Sequence, residues 1–116
     1  MGVSDRVTAL ADAEALDEFV ETHDHALVEF YTEGCSICQS MEPVLGVLAR
    51  SETIPVGTVN PRDDPPLIDR FDVRSVPLLV LFADGEPVDR RAEGFIGADD
   101  VQEWINASLS TERREN

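Results

Sequence analysis

Ala26-Leu27-Val28-Glu29-Phe30-Tyr31-Thr32-Glu33-Gly34-Cys35-Ser36-Ile37-Cys38 is the stretch whose reading decides the fold of this chain. Residues 26–32 are a short, mostly apolar run with one interior acid, the pattern of a strand buried on both faces. Cys35 and Cys38, the only cysteines, follow directly and open a helix expected to run to about Arg50. A strand followed by Cys-x-x-Cys at the mouth of a helix is an arrangement that does redox chemistry. Residues i and i+3 of a helix stand about 5–6 Å apart between Cβ atoms. A disulfide needs about 3.5–4.5 Å, so a small local adjustment lets the sulfurs bond and separate. At a helix N-terminus, free N–H groups and the positive dipole end stabilise a thiolate, lowering a thiol pKa from about 8.5 to roughly 3.5–7.5. Cys35 takes that position and Cys38 lies one turn inside.

Other chemistries remain open for such a pair. A structural zinc site wants four thiolate or imidazole ligands. Here only His23 and His25 accompany the cysteines, on the far side of the strand, so zinc would have to be shared across a dimer. The cysteines could also be inert small hydrophobes. Glu29 carries an ambiguity of its own, because strand alternation can turn a single acid toward solvent. If it is buried, desolvation raises its pKa and suits it to acid–base work near pH 7.

Outward from this stretch, the pattern alternates strands and helices. Val7–Leu10 reads as a first strand, and Asp12 as the N-cap of a helix carrying Ala15, Leu16, Phe19 and Val20 at helical spacing. The Cys helix presents Met41, Val44, Leu45 and Leu48 on one face and contains Pro43, which removes the bond to the Gln39 carbonyl and predicts a kink. Residues 54–59 read as a strand, 65–71 as a short helix, and Leu78–Phe82 as the most apolar strand. Asp84-Gly85 signals a hairpin returning through 88–92. The last helix starts near Ala98, with Val101, Trp104, Ile105 and Leu109 at helical spacing and Trp104 as a core anchor. The order is βαβαβα then ββα, an α/β fold with a central mixed sheet flanked by helices. At 116 residues the expectation is one domain, with about 1–6 and 110–116 as flexible ends.

Charge narrows the partners. There are 24 acidic residues against nine basic ones, all arginine, for a net charge of −15. Nucleic-acid and anionic-membrane binding both need a basic face, and are excluded. The acids are scattered, which makes a solvated surface, and a lysine-free acidic composition resembles that of salt-accumulating halophiles. No apolar run approaches the ~18 residues that cross a bilayer, and the first residues lack a leader-like apolar segment. The expectation is a cytoplasmic protein in a reducing compartment, where a Cys pair is catalytic.

Taken together, Val28 through Cys38, Pro43, Asn60, Val73-Arg74-Ser75-Val76-Pro77, Phe82-Ala83-Asp84-Gly85 and Gly94 resemble the thioredoxin family across nearly the whole chain. The resemblance implies a thioredoxin fold and thiol–disulfide exchange through a redox-active Cys35–Cys38 disulfide, with no bound cofactor and no metal. It implies a cis Val76-Pro77 bond beside the active site, with a client segment bonding to the backbone of Val76 like an added strand. Gly34, Ser36, Ile37, Pro77, Gly94 and Phe95 would complete the substrate groove. Glu29 matches the family's buried acid, which moves the proton of the second cysteine. Protein disulfides are the implied substrates and a thioredoxin-reductase-type protein the electron donor, with a monomer expected. Three positions depart from the pattern: Gly34 replaces a tryptophan, Ser36-Ile37 a Gly-Pro, and Thr58 the lysine that partners the acid. Two rival functions remain, a redox-regulated binding module without turnover and a zinc-bridged homodimer.

Overall fold

The structure, a computed structural model, describes residues 6–51 and 54–114. Its strands are β1 (Thr8–Leu10), β2 (His25–Phe30), β3 (Val56–Val59), β4 (Leu78–Ala83) and β5 (Glu86–Arg91). They form one five-stranded sheet in the order β1-β3-β2-β4-β5. β3 runs parallel to β1 and β2, while β4 is antiparallel to β2 and to β5. The helices are α1 (Ala13–Glu21), α2 (Ser36–Arg50), α3 (Pro66–Arg70) and α4 (Ala98–Arg114). This is the mixed sheet and βαβαβα-ββα order read from the sequence.

Both faces of the sheet are covered, and residue alternation sorts the side chains between them. Leu27 on β2 and Leu79, Leu81 and Ala83 on β4 pack with Met41, Leu45 and Leu48 of α2 and Val101 and Ile105 of α4. Val28 and Phe30, with Leu78, Val80 and Phe82, pack on the other face with Leu16 and Val20 of α1 and Leu67 before Phe71. Burying each of these Leu, Ile, Val, Met and Phe side chains stabilises the fold by roughly 1.5–3 kcal/mol. By this alternation Glu29 shares the face of Leu27, toward α2 and the cysteines. Gly57 on β3 gives α1 room: a Cβ there would lie 2.9 Å from Leu10 Cδ1 and 3.1 Å from Phe19 Cε2.

Several expectations need correction. The helix after β3 is preceded by a 3-10 turn, Pro61–Asp63, capped by Asn60, whose Oδ1 accepts from the Arg62 N–H. Helix α4 extends to Arg114, and residues 1–5 and 115–116 of the ends expected to be flexible lie outside the described residues. Trp104 packs against the core as expected, but from its margin and half-buried, with its indole N–H donating to Asp89 Oδ2 at 2.8 Å. Among the described residues no helix is long and apolar enough to cross a membrane.

Candidate active site

Helix α2 begins at the cysteines because Cys35 caps it. Its backbone is extended, with φ −92° and ψ 104°, and its Sγ accepts from the Cys38 N–H at 3.1 Å. An orphan amide of the first turn is thereby turned onto the sulfur. Cys35 and Cys38 are joined by a disulfide, with Cα atoms 5.2 Å apart. Cys35 is partly accessible and Cys38 is buried, so the two sulfurs differ in reach as their order along the helix implies. Ser36 and the exposed Ile37 sit on the first turn. Gly34 adopts φ +82°, a conformation that costs other residues energy, which gives a local reason for glycine there.

Below Cys38 lies a cavity of about 480 Å³, lined by Glu29, Tyr31, Glu33, Gly34, Glu42 and Thr58 among others. Glu29 is 2% exposed, and its Oε2 has no hydrogen-bond partner among the described residues. The solvent-facing alternative for this acid is therefore ruled out. Burial, with a smaller contribution from the Glu42 carboxylate, pushes Glu29 up to about 7. Thr58 stands directly across from Glu29 in the β2–β3 register and offers no cation. Glu42 is the residue that the sequence reading missed. It stands at i+4 from Cys38, the helical spacing that puts two side chains on one face, and that spacing could have found it.

The Val76-Pro77 bond is cis, and Pro77 is buried ahead of β4. Val76 lines a second, smaller cavity of about 230 Å³ with Thr32, which also lines the cavity below Cys38, so the two adjoin. Gly94 has φ +85° and leaves Phe95 58% exposed. The loop is fixed to the Cys helix where the Ile96 N–H donates to Met41 Sδ at 3.4 Å. Thus Glu29, Gly34 and Cys38 share one cavity, Val76 borders the adjoining one, and Ile37 and Phe95 are apolar groups left in solvent. Among the described residues no three His, Cys, Asp or Glu side chains converge as a metal site.

The thioredoxin family model matches residues 7–107. The chain is 37% identical over 82 residues to a thioredoxin from Chlamydia caviae, covering 70% of this chain and 79% of that protein. It is 36% identical over 88 residues to human protein disulfide-isomerase A4, but spans only 14% of that longer protein. Among solved structures, a thioredoxin from Halobacterium salinarum superposes with a TM-score of 0.86 at 30% identity, over 93% of this chain and 95% of that one. A strand, a cysteine-capped helix and a redox-active pair in one sheet, matched over this length, lead to one conclusion: the chain belongs to the thioredoxin family of thiol–disulfide oxidoreductases.

Proposed function

We propose that this oxidoreductase works as a cytoplasmic reductase of protein disulfides, with Cys35 as nucleophile, Cys38 as resolving thiol and Glu29 as proton acceptor. The observation that carries the reading is the shared cavity of Cys38 and an unpartnered, buried Glu29 beneath a cysteine-capped helix. The Cys35 thiolate attacks one sulfur of the client disulfide; a mixed disulfide forms and the other client sulfur leaves as thiolate. Glu29 takes the Cys38 proton, and the Cys38 thiolate attacks the Cys35 sulfur. That bond becomes the Cys35–Cys38 disulfide, the second client sulfur leaves, and the client has gained two electrons. A carboxylic acid near 7 is half ionised at neutral pH, which suits it to accept this proton and return it.

No bound cofactor is needed for these steps. The electrons come from the dithiol of a thioredoxin-reductase-type partner, which reduces the Cys35–Cys38 disulfide by the same exchange. Gly34, Ser36, Ile37, Val76, Pro77, Gly94 and Phe95 frame the client groove, with an extended client segment pairing to the backbone of Val76. The protein acts as a monomer on this reading.

Reduction of insulin by a dithiol reductant tests the reading. Cys35→Ser is expected to abolish turnover, and Cys38→Ser to accumulate stable mixed disulfides. Equal alkylation rates for the two thiols at pH 7 would overturn the assignment. Client binding without turnover would favour a redox-regulated binding module instead, and stoichiometric zinc in purified protein would favour a metal-bridged dimer.

A further inference from the structure

The cavity below Cys38 and the smaller one that shares Thr32 with it differ in charge. The one below Cys38 is lined by Glu29, Glu33 and Glu42. The adjoining one, next to the cis Val76-Pro77 bond, is lined by Arg62 and Arg74 together with Pro61, Ile68, Val73 and Val76, and no carboxylate lines it. In a chain with 24 acids and nine basic residues, two arginines in the lining of one such cavity are a local departure from the acidic surface, although Asp72 pairs with Arg74.

These arginines differ in how far they are committed. Arg62 is exposed and makes no side-chain hydrogen bond or ion pair among the described residues. Its place is set by the 3-10 turn, where Asn60 holds its backbone N–H. Arg74 donates from Nε to Asp72 Oδ1 at 2.9 Å, an arrangement that leaves its two terminal nitrogens for another acceptor; both partners of this pair are largely exposed. By contrast Arg70 is held by Asp17, Arg91 by Glu93, and Arg90 by the carbonyls of Phe71 and Asp72. Ile68, 36% exposed, gives the same wall an apolar patch.

We propose that this groove selects client segments that carry a carboxylate close to the reacting cysteine, the carboxylate pairing with Arg62 and Arg74 while an apolar neighbour rests on Ile68. The proposal deepens the reductase reading and rests on it. A segment laid as an added strand along Val76 presents alternate side chains to one side, so a single acidic residue near the cysteine faces this wall. Guanidinium forks match carboxylates geometrically, and such pairing adds preference without altering the exchange chemistry. For charges on an open groove the preference is expected to be modest, about two- to fivefold in rate.

The test uses three disulfide-linked peptides, identical except for Glu, Gln or Lys in the two residues preceding the reacting cysteine. Reduction by the full chain is followed at the potassium chloride concentration at which circular dichroism shows the fold intact. The expected result is a kcat/KM about two- to fivefold higher for the Glu peptide than for the Gln peptide, with the Lys peptide lowest. Arg62→Gln should collapse the Glu-to-Gln ratio toward one. Arg50→Gln, at the opposite end of α2, removes the same net charge and should leave the ratio intact. Equal rates for the Glu and Gln peptides, an unchanged ratio in Arg62→Gln, or the same collapse in Arg50→Gln would each overturn the proposal. Reduction of none of the peptides would overturn the reductase reading and this proposal with it, an outcome distinct from equal reduction of all three.

Discussion

Glu29 occupies a place in the α2-facing layer where its neighbours in register are Thr58 on β3 and Leu79 on β4. Desolvation is the larger cause of its raised pKa and the Glu42 carboxylate the smaller. A carboxyl whose pKa is about 7 when folded and 4.5 when unfolded binds more protons in the folded state between those values. Stability is therefore lost as pH rises from about 4.5 to 7, and the full cost of the buried charge is present above that window. Glu29→Gln in the oxidised protein should match the parent near pH 4 and exceed it at pH 8, by roughly 2–4 kcal/mol. Denaturant unfolding at the two pH values measures this, and an equal gain at both would show that the effect is not ionisation. Glu42→Gln should move the parent's loss of stability to slightly lower pH while leaving most of it, since burial is untouched. The same Glu29→Gln change should slow resolution of the mixed disulfide, seen as slower release of client thiol after a normal first attack.

Among the elements, α1 is the one whose start is most closely specified. Asp12 Oδ1 accepts from the Ala15 N–H at 2.9 Å, and Asp64 Oδ2, from the turn before α3, accepts from the Ala13 N–H at 2.9 Å. Two of the four orphan amides are satisfied by carboxylates at the positive end of the helix. Asp12→Ala should cost about 1 kcal/mol, read as a lower midpoint in urea with an unchanged slope. Asp12 was legible because a cap depends on neighbours three residues away, and the same holds for the Asp84-Gly85 turn, where both residues adopt positive φ. The Cys-capped helix and the buried strand were legible for like reasons: each is a local pattern. The packing of Trp104 against the core was legible, but its tether to Asp89 on a distant strand, a pairing no periodicity announces, was not. The shared cavity of Arg62 and Arg74 was hidden too, because residues twelve apart line one cavity only when the 3-10 turn and the loop before β4 fold together. The helix register of Glu42 with Cys38 was present in the spacing and needed only the burial of Glu29 to give it meaning.

Across the whole molecule the dominant feature is the net charge of −15. The described ion pairs, Arg70–Asp17, Arg74–Asp72 and Arg91–Glu93, lie at the surface, with only Arg91 mostly covered, and each is worth little. They cannot offset the mutual repulsion of the remaining acids, which the folded state concentrates and the unfolded chain spreads out. Salt shortens the reach of that repulsion, from about 10 Å at 0.1 M to about 3 Å at 1 M. The melting temperature should therefore climb steadily from low salt to molar potassium chloride, on the order of 5–10 °C for each 1–2 kcal/mol of relieved repulsion in a chain of this size. Potassium chloride is the appropriate salt because sulfate also strengthens apolar burial and would mix two effects. A variant with Glu14, Glu18 and Glu21 of α1 all changed to Gln removes three exposed charges, and its melting temperature should climb less steeply with salt. A flat or falling curve for the parent would remove the halophile reading and leave the redox chemistry of Cys35 and Cys38 untouched. A rising curve with the same slope in the triple variant would assign the effect to salts acting on the core instead of to surface charge.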